Sequence, residues 1–306
     1  QYANKATLFA INSVWELKKN MSQKKISIIK GNWRNPKNSS AEEKGGIHDD
    51  ETAQELGLKG GTIPGSVSME QFVPLLIYYF GESWWKTGGM SVFFEQPVFD
   101  NQRVRCILEP DTNTRAKIWM ENDDGSIVVK GTACLNTDQD SEVSRRLLQN
   151  RSDSDLRMLA DVVVGRASPP CPVRITDEQI EERLESITEP MNCYTNKTPF
   201  PQRVAPIAPW VHAFRGIEEH IIPINGPYVG MFGAIEVQYL NGPVMANTNY
   251  LSEGEVIALS SSPKTEIVWY AATLTEADTG RTIARMTKMD RLLKSASTLW
   301  TSSAND

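Results

Sequence analysis

The stretch of residues 46–80 constrains the fold of this chain more than any other part of its sequence. It begins with a histidine beside acidic residues and continues into a turn, residues 57–65, that is too rich in Gly and Pro for a regular element. Residues 66–80 are apolar on every side, which predicts a helix buried in a core, and Pro74 is expected to kink this helix or to limit its first half. At about 1.5 Å per residue this helix crosses a small domain but is too short for a bilayer.

The start of this predicted helix is the place where we expect chemistry. Ser66 is the predicted N-cap, and the amides of Gly65, Ser66 and Val67 are expected to lack partners at the positive end of the helix dipole. A glycine at position 65 lets a ligand approach the backbone closely. Such a position binds an oxyanion, or the carbonyl oxygen that is becoming one, while the upstream histidine handles a proton. The arrangement indicates acyl chemistry.

The segment from His48 to Gly65, HDDETAQELGLKGGTIPG, resembles the active-site segment of MaoC-like (R)-specific enoyl-CoA hydratases and dehydratases. The positions that carry the resemblance are His48, Asp50, Ala53, Gly57, Leu58, Gly61, Ile63, Pro64 and Gly65. Members of this family have a hotdog fold, in which a curved antiparallel sheet wraps a long central helix. Their pattern has an aspartate five residues before the histidine, where this chain has Glu43, and Asn-Pro between the two, where it has Gly45–Gly46. They commonly have His-Gly before the helix, where this chain has Pro64–Gly65.

The resemblance implies a hydro-lyase that adds or removes water across a double bond activated by a thioester. In this hypothesis His48 is the general base, Glu43 orients it or shares the proton, and the Gly65 amide binds the thioester oxygen. Further residues are expected to contact the substrate: Asp50, Ser66, Val67, Glu70, Trp84 and Trp85. Some of these residues also suit structural roles. Asp50, like its neighbour Asp49, suits the cap of a short helix, and Trp84 and Trp85 suit a hydrophobic core.

Two other functions stay open at this point. Some hotdog thioesterases use a carboxylate about one turn into the central helix, and Glu70 stands at that place, although a buried glutamate bonded to backbone is the simpler interpretation. A hotdog protein that binds an acyl or other apolar ligand without chemistry is the third reading, because the segment before His48 departs from the family pattern. His212 lies in an apolar segment and is interpreted as a core histidine.

The later part of the chain repeats the order of the earlier part. Residues 88–134 read as a strand, a Pro-Val pair, strands around an Asp/Gly turn and a closing strand, and residues 234–286 follow the same order. We therefore expect an α+β double hotdog, two copies fused as a pseudo-dimer, with the second central helix near residues 206–214 and no site of its own. The predicted boundaries are an unassigned extension at residues 1–20, a first hotdog at 21–137, a linker at 138–170 and a second hotdog at 171–306.

Composition limits the partners and the location. With 306 residues, 40% apolar and 23% charged, and a net charge of −6, the chain is ordinary for a globular protein and gives no reason to expect nucleic acid. Its four cysteines lack metal-ligand spacing, which fits a reducing cytoplasm, and we expect no metal and no cofactor. No apolar run is long enough to span a membrane, and residues 1–20 do not resemble a secretory signal. The expected partners are an acyl thioester, on CoA or a carrier protein, and a second copy of the chain in a homodimer.

Overall fold

The computed structural model describes residues 27–153, 155–196 and 199–301, so the prediction for residues 1–20 lies outside the described part. Within these residues a single ten-stranded sheet dominates, and every strand pair is antiparallel. The strands are β1 Ile29–Lys30, β2 Gly88–Phe94, β3 Val104–Thr112, β4 Arg115–Asn122, β5 Ile127–Leu135, β6 Cys171–Arg174, β7 Gly230–Tyr239, β8 Asn249–Ser261, β9 Thr265–Glu276 and β10 Thr282–Leu293.

The order of the strands shows that the sheet consists of two equivalent halves. It runs β1-β3-β4-β5-β2-β7-β10-β9-β8-β6, so each half has the same internal order read outward from the centre. The halves join where β2 pairs with β7, from Gly89 opposite Gln238 to Phe93 opposite Ala234. The hairpin predicted around Asn122–Gly125 connects β4 and β5, and Gly125 has the positive φ of 85° that such a turn favours in glycine.

The helices are short, and most of them belong to the two central segments. They are α1 Asp50–Glu55, α2 Gly65–Glu70, α3 Val73–Phe80, α4 Ser83–Thr87, α5 Glu142–Leu148, α6 Asp177–Leu184, α7 Asn192–Thr195, α8 Ile207–His212, α9 Arg215–Ile221 and α10 Thr298–Thr301. No helix in the described part of the chain is both long enough and apolar enough to cross a membrane. α6 begins with a capping box, in which Thr176 and Gln179 each accept a hydrogen bond from the other's backbone amide through their side chains.

The segment 66–80, predicted as one helix that Pro74 would kink or limit in its first half, forms two helices, α2 and α3, that are separated just before Pro74. Pro74 has no N–H and its ring would clash with the carbonyl four residues earlier, so a continuous α-helix through it is unfavourable. The first helix also begins one residue earlier than predicted, at Gly65, with Pro64 rather than Ser66 as the N-cap. α2 is buried from Ser66 to Glu70, as its composition predicts, whereas α3 buries only one side and leaves Tyr78 76% exposed.

The second half repeats this broken central segment. Pro206 precedes α8 as Pro64 precedes α2, and Phe214 separates α8 from α9 as Phe72 separates α2 from α3. The residues just before the two central segments are also anchored in the same way. The Ile63 amide donates to the Val98 carbonyl at 2.8 Å, and the Ala205 amide donates to the Val244 carbonyl at 2.9 Å. Each Pro-Val pair of the repeat thus anchors the chain just before a central helix.

The segment predicted as a linker packs against both faces of the sheet: Val143 lies on the face opposite the central helices, whereas Met158 and Leu159 belong to the main core. Val143 of α5 is buried in a small cluster with Phe93 and Trp269, whereas Val92 on the other side of β2 belongs to the main core. Further along, the buried Glu266 carboxylate accepts hydrogen bonds from the amides of Arg157, Met158 and Leu159 at 2.9–3.0 Å. Residues 138–170 are therefore fixed to the sheet at several points.

Candidate active site

His48 is held in one orientation by the backbone of the loop before α2. Its Nδ1 lies 2.8 Å from the carbonyl oxygen of Thr62, which can only accept a hydrogen bond. Nδ1 therefore carries the proton in the neutral imidazole, and Nε2 keeps its lone pair. The carbonyl of His48 accepts from the Asn38 side chain at 2.7 Å, which fixes the backbone on the other side. The half-buried ring lines a cavity with a nitrogen able to take a proton.

The first turn of α2 presents two backbone amides without partners. Pro64 has no N–H and forms no side-chain cap, and none of the described residues accepts a hydrogen bond from the Gly65 or Ser66 amide. The Val67 amide, which was also predicted to be free, donates to the Pro64 carbonyl at 3.0 Å. Gly65 lines the same cavity as His48. The backbone amides of Gly65 and Ser66 thus lack an acceptor among the described residues, whereas the sequence predicted three such amides.

Glycine at position 65 is required by packing as well as by access. A Cβ atom added there would lie 2.7 Å from Cδ2 of Phe232 and 2.9 Å from Cζ of Phe94, both closer than real contacts allow. These two rings, from the two halves of the molecule, have centroids 6.3 Å apart. The start of α2 therefore lies against an aromatic wall, and any side chain at position 65 would displace it.

A cavity of about 710 Å³ joins the two halves at this place, a volume typical of small-molecule sites. The first half contributes the loop with His48 and the start of α2, and the second half contributes α8, α9, β7 and β10. Apolar side chains that include Phe232, Val268 and Leu292 form part of its wall. No group of three or more His, Cys, Asp or Glu side chains among the described residues is arranged to hold a metal ion.

His212 is a cavity residue that the sequence interpretation assigned to the core. It is the last residue of α8, and its Nε2 lies 3.4 Å from the Ser66 hydroxyl oxygen. Burial lowers the pKa of His212 to about 3, helped by the positive charge of Arg215, so its imidazole is neutral near pH 7. The repeat contained a signal for this position, because counting from Pro206 as from Pro64 aligns His212 with Glu70.

The two acidic residues nearest to His48 in the sequence have other partners. Glu43 is exposed, lies outside the cavity lining and accepts a hydrogen bond from the Ser40 hydroxyl at 2.9 Å. No hydrogen bond joins it to His48 in the described structure. Asp50 accepts from the Gly61 amide at 2.7 Å and shapes the glycine loop, while Asp49 caps α1. The Thr52 hydroxyl bond is the main reason that the pKa of Asp49 is lowered to about 2.

Comparison with solved structures places this arrangement in a known architecture. A conserved hypothetical protein from Mycobacterium tuberculosis, described as having a double hotdog fold, matches with a TM-score of 0.61 at 9% identity, over 89% of this chain and 97% of that one. A MaoC domain protein from Chloroflexus aurantiacus matches with a TM-score of 0.57 at 10% identity, over 87% of this chain and 94% of that one. A MaoC-like dehydratase matches with a TM-score of 0.53 at 12% identity, over 87% and 97%.

The chain has the double hotdog fold. This confirms the predicted fold class, and the solved structures that resemble the chain include MaoC-like proteins, the group that the segment from His48 to Gly65 resembles. No family model matches the sequence, and no curated protein matches it either. At these identities the comparisons define the fold, and the reaction has to be argued from the site.

Within this double hotdog, Glu70 binds the helix start of the opposite half. Its Oε2 accepts from the Ile207 amide at 2.8 Å, and its Oε1 accepts from the Tyr194 hydroxyl. Burial raises the pKa of Glu70 to about 7, although these two hydrogen bonds counteract the effect. Glu70 is buried and does not line the cavity, which leaves no room for a substrate at its carboxylate.

The remaining predicted contact residues lie beside the cavity rather than in its wall. Trp84 and Trp85 are buried in an aromatic cluster, with ring centroids 5.4 Å and 5.9 Å from Tyr239 and Tyr194 respectively. Val67 is buried in the main core. Ser66 has a buried side chain whose hydroxyl contacts His212. Of the predicted site, His48 and Gly65 line one cavity, and His212, which contacts the Ser66 hydroxyl, lines it as well.

Proposed function

We propose that this protein is a hydro-lyase that hydrates an enoyl thioester or dehydrates a 3-hydroxyacyl thioester. The observation that carries the proposal is the orientation of His48, whose Nδ1–H is held by the Thr62 carbonyl while Nε2 remains basic at the cavity that Gly65 also lines. A base and a pair of unpartnered amides at one cavity suit a reaction that moves a proton while charge develops on a carbonyl oxygen.

In the hydration direction, His48 Nε2 takes a proton from a water molecule as the water oxygen bonds to C3 of the enoyl group. The electron pair of the double bond moves toward the thioester, and its oxygen, becoming an enolate, accepts hydrogen bonds from the amides of Gly65 and Ser66. Protonated His48 then delivers the proton to C2, which restores the base. Dehydration follows the same steps in reverse order.

His212 and Glu43 take supporting roles in this proposal. The neutral imidazole of His212 is placed to hold the water or a substrate oxygen without adding charge to the cavity. Glu43 reaches the cavity only through Ser40, which lines it, so its part in orienting His48 stays a prediction. The carrier of the acyl group, CoA or a carrier protein, and the homodimer also stay predictions.

The test is the hydration of crotonyl-CoA and longer trans-2-enoyl-CoAs, followed by loss of the enoyl thioester absorbance. We expect His48→Ala to lower kcat by about 10²–10⁴-fold, the usual contribution of a general base, with an unchanged circular dichroism spectrum. His220→Ala is the matched control, because His220 is exposed on α9 and does not line the cavity. Hydration by His48→Ala at the wild-type rate would contradict the proposal. Release of free thiol without hydration would favour a thioesterase, and saturable binding without turnover a binding protein.

A further inference from the structure

A cluster of charged residues forms the part of the cavity that belongs to the second half. Lys288 Nζ lies 2.9 Å from Glu218 Oε1 and 3.0 Å from Asp290 Oδ2, and the Tyr270 hydroxyl donates to Glu218 Oε1. Glu218 comes from α9, whereas Lys288 and Asp290 share one face of β10 because they are two residues apart on a strand. Three of these four residues line the cavity, namely Glu218, Lys288 and Asp290.

The cluster is charged near neutral pH. Burial works against the charge of Lys288, but Asp290 and Glu218 more than compensate and raise its pKa. Burial raises the pKa of Asp290 to about 6, while Lys288 holds the pKa of Glu218 below its usual value despite burial. Arg215, which also lines the cavity, acts on Glu218 in the same sense. Lys288 thus lies between two carboxylates with Arg215 nearby, and Glu95, Glu219 and Arg291 also line the cavity.

The atoms that this cluster leaves available are acceptors. Lys288 is 7% exposed at its side chain, and its ammonium group meets both carboxylates and the ring of Phe232, 4.2 Å from the centroid. The side chains of Glu218 and Asp290 are 28% and 18% exposed. Among the described residues none donates to Glu218 Oε2 or Asp290 Oδ1. The cavity thus offers two carboxylate oxygens beside the apolar wall of Phe232, Val268 and Leu292.

These free acceptors restrict the group that fits against them. A plain alkyl chain would strip water from two carboxylate oxygens without replacing the hydrogen bonds, which is costly. A carboxylate on the ligand would be repelled by both, and an ammonium group would be repelled by Lys288, which already lies between Glu218 and Asp290. A hydroxyl group donates a hydrogen bond and adds no charge.

We propose that Glu218 and Asp290 recognise a hydroxyl group on the acyl chain, remote from the thioester, so that the substrate class is a hydroxylated acyl thioester. This inference rests on the proposed function for the identity of the occupant as an acyl thioester. In this arrangement His48 and the start of α2 bind the thioester end of the substrate in the first half. The charged cluster binds the hydroxyl at the other end of the acyl chain in the second half.

The test is calorimetric binding of unreactive acyl pantetheine amides, in which nitrogen replaces the thioester sulfur. A length series of ω-hydroxyacyl ligands is compared with the same chains carrying a terminal methyl or a terminal ammonium group. We expect the best hydroxylated ligand to bind about ten- to a hundredfold more tightly than its methyl counterpart, the effect of a hydrogen bond to a charged group. The same preference is expected in His48→Ala, because binding does not require the base.

Substitutions locate the preference in the cluster. Asp290→Asn and the triple variant Glu218→Gln, Lys288→Met and Asp290→Leu should bring the two affinities within about threefold of each other. The triple variant removes every charge of the Glu218–Lys288–Asp290 cluster together and keeps an acceptor for the Tyr270 hydroxyl, so it leaves no unpaired buried charge among these three residues. Asp278→Asn, an exposed carboxyl at the β9–β10 turn, is the control and should keep the preference. Equal affinities in wild type, tighter binding of the ammonium ligand, or no binding of any ligand would each overturn the inference. Selective binding without hydration of any enoyl thioester would overturn the proposed reaction and leave this recognition standing.

Discussion

The two central-helix starts have the same backbone framework but differ in what stands in front of them. In the first half, α2 begins at Gly65 with two amides free of partners, and the glycine lines the cavity. In the second half, α8 begins at Ile207, whose amide donates to the Glu70 carboxylate at 2.8 Å. One helix start is open to a ligand, and the other is filled by a side chain of the protein itself.

The difference arises at the opposite ends of the same two helices. The last residue of α2 is Glu70, which reaches the start of α8, and the last residue of α8 is His212, which reaches Ser66 at the start of α2. A carboxylate is an acceptor with two oxygens and satisfies backbone donors fully. A neutral imidazole 3.4 Å from a hydroxyl leaves the backbone amides available. In this duplicated fold, a single position decides whether a helix start is a structural contact or a candidate site.

The largest expected effect on stability comes from replacing Glu70, the side chain that fills the start of α8. Glu70→Leu removes the acceptor of the Tyr194 hydroxyl and of the Ile207 amide and leaves both buried donors unsatisfied. We expect the free energy of unfolding to fall by about 3–5 kcal/mol in urea denaturation, the sum for two such donors. Glu70→Gln keeps the shape and one acceptor and should lose less than half as much. A Glu70→Leu protein as stable as wild type would show that the carboxylate does not hold the second half together.

The same carboxylate predicts how stability depends on pH. The pKa of Glu70 is raised by burial from 4.5 to about 7, so between these values the folded state binds more protons than the unfolded state. The free energy of unfolding should therefore fall as pH rises from about 4.5 to about 7, by ~3 kcal/mol from this group. Asp290, whose pKa is raised to about 6, contributes in the same direction.

The comparison of wild type with Glu70→Gln isolates the contribution of Glu70, because Asp290 is present in both proteins. The difference between the two unfolding free energies should shrink as pH rises through this range, because only wild type loses the stability that Glu70 contributes. Parallel pH profiles for the two proteins would mean that Glu70 titrates at its ordinary pKa in the folded state.

The sequence was sufficient to predict what depends on local patterns and on the repeat. The Asp/Gly turns, the Pro-Val pairs and the order of strands identified both halves, and the segment from His48 to Gly65 located the cavity residue His48 and the open helix start. The expectation that Pro74 kinks the helix over residues 66–80 or limits its first half also agrees with the structure, where the helix is broken just before Pro74.

Contacts between residues far apart in the chain were the part that sequence reasoning missed. His212 faces the cavity only because α8 packs against α2, and Glu70 binds Ile207 for the same reason. The charged cluster combines Lys288 and Asp290 of β10 with Glu218 of α9. This strand and this helix meet only in the folded second half, and their sequences alone do not show the contact. The repeat aligns His212 with Glu70, but alignment alone does not show that the two central helices exchange their ends.

A smaller effect on stability is expected when a side chain is added at the open helix start. Gly65→Ala places a Cβ atom 2.7 Å from the Phe232 ring and 2.9 Å from the Phe94 ring, so the aromatic wall has to shift. We expect a loss of about 1–3 kcal/mol in the free energy of unfolding, the usual range for overpacking. Because the shift moves the amides of Gly65 and Ser66 relative to His48, kcat for hydration should fall more than tenfold while circular dichroism stays unchanged.

Ile207→Val is the matched change at the equivalent position of the second half, where it shortens a fully buried side chain. It should cost about 0.5–1.5 kcal/mol in stability and leave kcat for hydration within about twofold of wild type, since the Glu70 carboxylate already fills that helix start. Equal losses of hydration in the two variants would mean that activity follows overall stability, and the functional difference between the two helix starts would then be wrong.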